Sequence, residues 1–447
     1  MRKIRPRELL FALIPLLALL VGVTLLLDTL ERAELIDTEV PDDTVAYLAG
    51  PAYKLEQADD DRAYYVIADR TLLPQRFATP KEPGVFRLFI LGGSFALGSP
   101  YVVNEPTPGG IDSWVREELA ARFPSLRIEV INSACGAQNS FRVKQIFHDV
   151  IEFEPDALLV VMGNNEGFIP PTSLHPLVHQ WSLYRTMRAL IRPPDYQGPK
   201  GRPQFSPQLA NINDLLKVFA GNQLEMVRSA QDHDVPLVLA TMPINLRYDP
   251  WPYRDDPDPW PDKPPPECFA KALDLFDRQQ EQQGIEALYN CPCYAANYLL
   301  GQRLEKAGRY DEARLAYTQA VTYFPSNRTR PGFNWATRRN ADQPGVILAD
   351  FEAVAEDRAV NGIPGAEQFV DYCHMNWSGY QAMAHELVRT LISSGIIRGA
   401  AGEPLPEPGT EQLLRRLGTT PDDLELAGSP FLQKQHGGIA QTIRRAR

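Results

Sequence analysis

Five short apolar runs, spaced along the chain and separated by helical stretches, constrain this sequence more than any other feature. They are FRLFILG (86–92), RIEVINS (127–133), DALLVVMG (156–163), VPLVLATMP (235–243) and GVILAD (345–350). Each is short and bounded by turn residues, which suits strands buried on both faces. Between them, 111–123, 140–153 and 208–232 carry apolar residues at three- and four-residue spacing and read as amphipathic helices. This alternation predicts an α/β fold, a parallel sheet with helices on both faces. Ligands of such sheets bind beyond the carboxyl ends of the strands, so the residues that follow each run deserve the closest reading.

Those residues make chemical sense together. The first run ends in Gly92-Gly93-Ser94, a turn in which a missing Cβ lets the backbone bend and leaves a hydroxyl exposed near backbone N–H groups. Taken alone, Gly-Gly-Ser is an ordinary loop. The second run ends in Asn132-Ser133-Ala134-Cys135-Gly136-Ala137, which can offer an N–H to a developing negative charge, and the third in Gly163-Asn164-Asn165-Glu166, which offers a carboxamide donor. Far downstream lies Asp371-Tyr372-Cys373-His374, followed by an amphipathic stretch from Ser378 to Ser393. A three-residue offset lets the Asp371 carboxylate hold the His374 imidazole in one tautomer while the imidazole takes a proton from a hydroxyl.

Four blocks in this order, GGS, VINSACG, GNNE and DYCH, resemble the SGNH or GDSL hydrolases over 85–245 and 345–392. The resemblance implies a three-layer α/β/α fold on a five-stranded, flavodoxin-like parallel sheet, and ester hydrolysis through an acyl-enzyme without a cofactor or metal. It makes Ser94 the nucleophile, His374 the general base and then acid, and Asp371 the orienting carboxylate. The oxyanion hole would comprise the Ser94 N–H, the Gly136 N–H and the Asn165 side chain, with Ala137 as the alternative N–H. Two departures stand out: Gly93 replaces the Asp of GDS, and Glu166 replaces the Asp of GxND. The expected substrates are O-acyl or O-acetyl groups on cell-envelope carbohydrate. An O-acyltransferase using the same residues is one alternative, and a noncatalytic assembly module is another.

The N-terminus is built for a different solvent. Leu9–Leu27 carries no charge, and roughly 19 residues at about 1.5 Å each give enough helix for a hydrocarbon core of ~30 Å. Arg2, Lys3, Arg5 and Arg7 precede it and Asp28, Glu31 and Glu34 follow, so the positive-inside rule keeps the N-terminus in the cytoplasm. A cleaved signal peptide is the competing reading. The length of the run, and the lack of a small-x-small site after it, favour an uncleaved anchor. The expectation is a single-pass inner-membrane protein with a periplasmic body. The net charge of -11, with no long basic run outside the termini, argues against a nucleic-acid partner.

The expected organisation is a basic tail (1–8), the anchor (9–27), a membrane-proximal segment (28–84), the hydrolase domain in two parts (85–264 and 331–398) around a helical insertion (265–330), and a C-terminal tail (399–447). The 40 prolines are densest between Pro243 and Pro266, at the entrance to the insertion. There LLGQRLEKAGRYDEARLAYTQAVTYFP fits one tetratricopeptide unit, with Leu300, Gly301, Gly308, Tyr310, Ala313, Tyr317, Ala320 and Pro325 at packing positions. One unit offers little concave surface, so a helical hairpin covering the site is weighed above a groove for a protein partner. Of five cysteines, Cys268 is expected to pair with Cys291 or Cys293, while Cys-Pro-Cys lacks the spacing of a zinc site. A Cys135–Cys373 bridge beside the site is a further hypothesis. Trp251, Tyr253 and Trp260 read equally as sugar-stacking or packing residues, His175 and His179 as a surface loop, and Arg444, Arg445 and Arg447 as a solvated helix end.

Overall fold

The computed structural model describes residues 6–33, 35–36, 51–57, 62–69, 72–102, 107–166, 181–191, 212–248, 266–323, 328–397 and 404–432. It divides into two compact units, one formed by Met1–Pro51 and Ile169–Ser206, the other by Ala52–Phe168 and Pro207–Arg447.

In that first unit α1 (Pro6–Arg32) is a 27-residue helix. Its Thr24 carbonyl accepts the Ser182 hydroxyl, at 2.6 Å, from the start of α5 (Ser182–Ile191). Leu19, Val21, Leu25 and Leu26 on α1 are exposed. Among the described residues, no helix is long and apolar enough to cross a membrane.

The second unit is built on a five-stranded parallel sheet. Its strands are β4 (Val85–Gly92), β5 (Arg127–Asn132), β6 (Ala157–Val161), β7 (Leu237–Ala240) and β8 (Val346–Ala349). Their order, β5-β4-β6-β7-β8, is the flavodoxin-like one, reversing direction of winding at β4. Both faces of β4 are buried: Leu88 and Ile90 join one core with Trp114, Leu119 and Leu387, while Phe89 and Leu91 join another with Phe147, Phe219 and Met226. A strand whose alternating residues all leave water must be covered twice, and it is. Helices α3 (Ile111–Arg122), α12 (Phe351–Arg358) and α13 (Trp377–Ser393) supply the first core, and α4 (Ser140–Val150), α6 (Ile212–Asp232) and α11 (Pro331–Ala341) the second.

Two regions carry structure that the sequence reading did not assign. Within 28–84, β1 (Tyr53–Gln57), β2 (Ala63–Ile67) and β3 (Arg76–Thr79) form an antiparallel meander. Tyr53 and Phe77 fold into an aromatic cluster with Phe89 and Phe153, so the meander shares the second core. The stretch read as a C-terminal tail contains α14 (Thr410–Leu417) and α15 (Pro421–Leu432), whose Leu413, Leu414 and Leu424 are buried in the first core.

The insertion is helical as expected: α7 (Glu267–Asp277), α8 (Glu281–Tyr289), α9 (Tyr294–Lys306) and α10 (Tyr310–Tyr323) enclose their own apolar core. Gly301 lies against the Tyr317 ring, where a Cβ would come within 2.7 Å, and Leu300, Ala313 and Ala320 are buried. What is seen is one helical hairpin, α9 on α10, set in a larger helical cluster. Cys268 is bonded to Cys291, one of the two expected pairings, and Cys135, Cys293 and Cys373 are buried and outside any disulfide. The proposed Cys135–Cys373 bridge is therefore not formed. The residues His175, His179, Trp251, Tyr253, Trp260, Arg444, Arg445 and Arg447 lie outside the described residues.

Candidate active site

The chain leaves β4 through a turn that only glycine can make. A Cβ at Gly92 would sit 2.0 Å from the Val161 carbonyl oxygen of the neighbouring strand. Almost immediately after it, α2 (Ser94–Leu97) begins, a single turn pinned by its buried Phe95, Ala96 and Leu97. Ser94 is thus held at the carboxyl end of the sheet by a strand on one side and three core contacts on the other.

His374 arrives from the opposite end of the chain. Pairing of Phe369 with Met375, and the Val370 N–H donating to the His374 carbonyl at 2.9 Å, close 369–375 into a tight loop. Asn376 then caps α13 by accepting the Gly379 N–H at 2.9 Å. Within the loop, Asp371 Oδ1 accepts the backbone N–H groups of Cys373 at 2.8 Å and His374 at 2.7 Å. Those two bonds fix the carboxylate, leaving Oδ2 to meet His374 Nδ1 at 2.7 Å. On the far side of the ring, His374 Nε2 lies 2.7 Å from Ser94 Oγ. Ser94, His374 and Asp371, separated by up to 280 positions in sequence, therefore form one continuous hydrogen-bonded relay.

The electrostatics follow from that geometry. Burial alone would lower the His374 imidazole, but the Asp371 carboxylate and the neighbouring Cys373 sulfur lift it well above its ordinary range. Burial would raise Asp371, and the imidazole and backbone N–H groups hold it below the usual carboxylate value. Asp371, Cys373 and His374 also bring three metal-ligating atoms within 4.8 Å. The Cys373 sulfur lies 3.6 and 3.8 Å from the two ring nitrogens. Both nitrogens are already engaged in the relay.

Asn165 lies against the Gly93 backbone beside Ser94. A Cβ on Gly93 would come 2.6 Å from Asn165 Nδ2, so the carboxamide fills the space that the missing Asp side chain would need. Its other constraint is a bond donated to the Gln138 carbonyl at 3.0 Å. Gly136 and Ala137 are exposed on the same β5–α4 connection, Ala137 in the left-handed conformation at φ 58°. Glu166 turns inward: its carboxyl accepts the Ser140 N–H at 2.8 Å and hydroxyl at 2.7 Å, and burial pushes it up to about 7 despite those bonds.

Three supporting residues escaped the sequence reading. Asn132 donates to the Ala96 carbonyl at 3.1 Å and accepts the Ala134 N–H at 3.0 Å, tying the Ser94 helix to the second turn. Gln138 positions Asn165, as above. Asn245, after β7, donates to the Asp371 carbonyl at 2.8 Å. The meander joins in, since Tyr53 Oη lies 2.6 Å from Ser133 Oγ and Gln75 donates to the Asn132 carbonyl at 2.7 Å. Amide residues after strand ends were the available signal, but only the fold reveals which of them point inward.

No protein-family profile matches the chain, and no curated protein does. Among solved structures it is similar to LAE5, an alpha/beta hydrolase enzyme from the metagenome of Lake Arreo, at 14% identity over 70% of this chain and 97% of that one, with a TM-score of 0.37. It is similar to the acetylxylan esterase Axe2 of Geobacillus stearothermophilus at 12% identity over 68% and 94%, TM-score 0.36. A lipase/acylhydrolase from Enterococcus faecalis gives 11% identity over 73% and 100%, TM-score 0.34.

Proposed function

We propose that the chain is a serine ester hydrolase of the SGNH type, working through an acyl-enzyme. One observation carries the reading: the relay Ser94–His374–Asp371, with both links at 2.7 Å, at the carboxyl end of β4. His374 Nε2 takes the Ser94 proton as Oγ attacks the ester carbonyl, and Asp371 stabilises the resulting imidazolium. The tetrahedral oxyanion is met by the Asn165 carboxamide and by backbone N–H groups of the Ser94 turn and the β5–α4 connection. His374 then donates its proton to the departing alkoxide, and water repeats the sequence in reverse to release the acid. A noncatalytic scaffold has no physical reason to keep an aligned Ser-His-Asp relay whose His and Asp are buried.

The expected substrates are O-acyl, in first place O-acetyl, groups on cell-envelope carbohydrate, reached from a body held outside the cytoplasm by α1. Support for the anchor comes from the uncharged Leu9–Leu27, the basic-before, acidic-after flanks and the exposed leucines of α1. The test is acetate release from O-acetylated envelope polysaccharide by the purified protein, with and without an unacetylated glycan acceptor. Free acetate in both arms supports hydrolysis; acetate appearing only on the acceptor makes the protein a transferase; no turnover of either that polysaccharide or aryl acetates removes the esterase reading.

A further inference from the structure

The helical insertion contains a second constellation of reactive groups that the ester chemistry does not use. Cys268, in the first turn of α7, is bonded to Cys291 in the α8–α9 connection, and the buried thiol of Cys293 lies with its sulfur 3.9 Å from that of Cys291. The two sulfurs are in van der Waals contact. The contact is built in: Pro292 separates the residues, and the Cys293 N–H donates back to the Cys291 carbonyl at 2.8 Å, folding Cys-Pro-Cys on itself. Cys293 is also the N-cap residue of α9, a 13-residue helix.

We propose that these three cysteines form an internal thiol–disulfide exchange site in which Cys293 is the nucleophile and Cys268 the leaving group. The Cys293 thiolate attacks Cys291 Sγ. The Cys293–Cys291 bond forms as the Cys291–Cys268 bond breaks, and the electron pair leaves on Cys268 Sγ, which takes up the proton that Cys293 gave up. One disulfide and one thiol are present before and after, so no outside oxidant or reductant is consumed. Burial holds the Cys293 thiol above its ordinary value, and the N–H groups of Ala295 and Ala296 in the first turn of α9 offset only part of that rise. The thiolate therefore forms only as pH rises, and exchange accelerates with it.

The exchange has a structural consequence. Cys291 and Cys293 are buried, whereas Cys268 is only half-buried, so the reaction carries the free thiol from the interior to the rim of the insertion. It also cuts the one disulfide seen among the described residues, which ties α7 to the α8–α9 connection. The reaction is independent of the ester chemistry, since none of its residues belongs to the relay at Ser94.

The full chain, purified without reductant, is held natively in N-ethylmaleimide at pH 7 and pH 8.5, quenched in acid, digested and mapped by mass spectrometry under non-reducing conditions. The expected products are a Cys268 adduct together with a Cys291–Cys293 bond, forming about tenfold faster per pH unit below the thiol's titration, and no Cys268 adduct in Cys293→Ser. An adduct on Cys293 with Cys268–Cys291 intact overturns the proposal, and so does a wild type in which Cys268 and Cys293 both stay unlabelled after a day at pH 8.5. Cys268 labelling that persists in Cys293→Ser also overturns it, because another thiol is then the nucleophile.

Discussion

Replacing Asp371 with Asn changes one atom of the relay and inverts its logic. In the native loop, Oδ1 accepts two backbone N–H groups at 2.8 and 2.7 Å, and Oδ2 accepts the imidazole Nδ1 proton at 2.7 Å. The Asn oxygen must remain on the two backbone donors, since turning the amide round would set its NH2 against them. Its NH2 therefore faces Nδ1. Two donors cannot share that position, so the imidazole keeps its proton on Nε2, the nitrogen 2.7 Å from Ser94 Oγ, and donates to the hydroxyl it should deprotonate. A wrong tautomer in such a relay costs about 10⁴ in kcat, or roughly 5 kcal/mol of transition-state stabilisation. Asn keeps the size and shape of Asp, so KM should hold within a few-fold. The assay is steady-state hydrolysis of p-nitrophenyl acetate from pH 6 to 10. Wild-type activity should fall on the acid side at a pH above that of an ordinary imidazole, because Asp371 lifts His374 once its own burial is overcome; the variant loses that lift. An Asp371→Asn enzyme within tenfold of wild type across the range, or one whose loss is confined to KM, would refute the reasoning.

Two further substitutions probe the neighbouring blocks. Asn165→Ala removes a proposed oxyanion donor and should lower kcat by about 10²–10³, roughly 2.7–4 kcal/mol, with KM little changed; unchanged kcat would take the carboxamide out of the oxyanion hole. Glu166→Gln tests a carboxyl that burial holds at about 7. Because the folded state favours its protonated form, the native protein loses stability as pH rises from the ordinary carboxyl range to about 7 and regains none above it. The Gln variant, a mimic of that protonated form, should match wild type near pH 4 and exceed it at pH 8 by about 3 kcal/mol in chemical denaturation. A pH-independent difference would mean that Glu166 is ionised in its site throughout.

What the sequence disclosed and what it withheld divide along a physical line. β4, β6 and β7 were legible because strands buried along their whole length write their environment as near-continuous apolar runs, while β5 and β8, only partly buried at the sheet edges, showed through shorter ones. The relay was legible because Ser94 opens the helix after β4 and because Asp371 and His374, three positions apart in the tight loop before α13, pair locally. The meander was not: β1 exposes four of its five residues, and its hold on the core rests on Tyr53 and Phe77 meeting Phe153, a contact that no local pattern encodes. The same holds for Asn132, Gln138 and Asn245, whose partners lie 36, 27 and 126 positions away. The last two helices were hidden by prolines and glycines around a few leucines; three of those leucines are buried, enough to seat α14 and α15 on the first core.

The sharpest single measurement is covalent labelling of Ser94. A fluorophosphonate reacts with a serine hydroxyl only where a neighbouring base removes its proton and donors receive the charge on phosphorus-bound oxygen. The native protein should be labelled at Ser94, Ser94→Ala should not, and labelling of Asp371→Asn should slow in step with its kcat. A native protein that stays unlabelled where a known serine esterase reacts, or a label that maps to another residue, would contradict a nucleophilic Ser94.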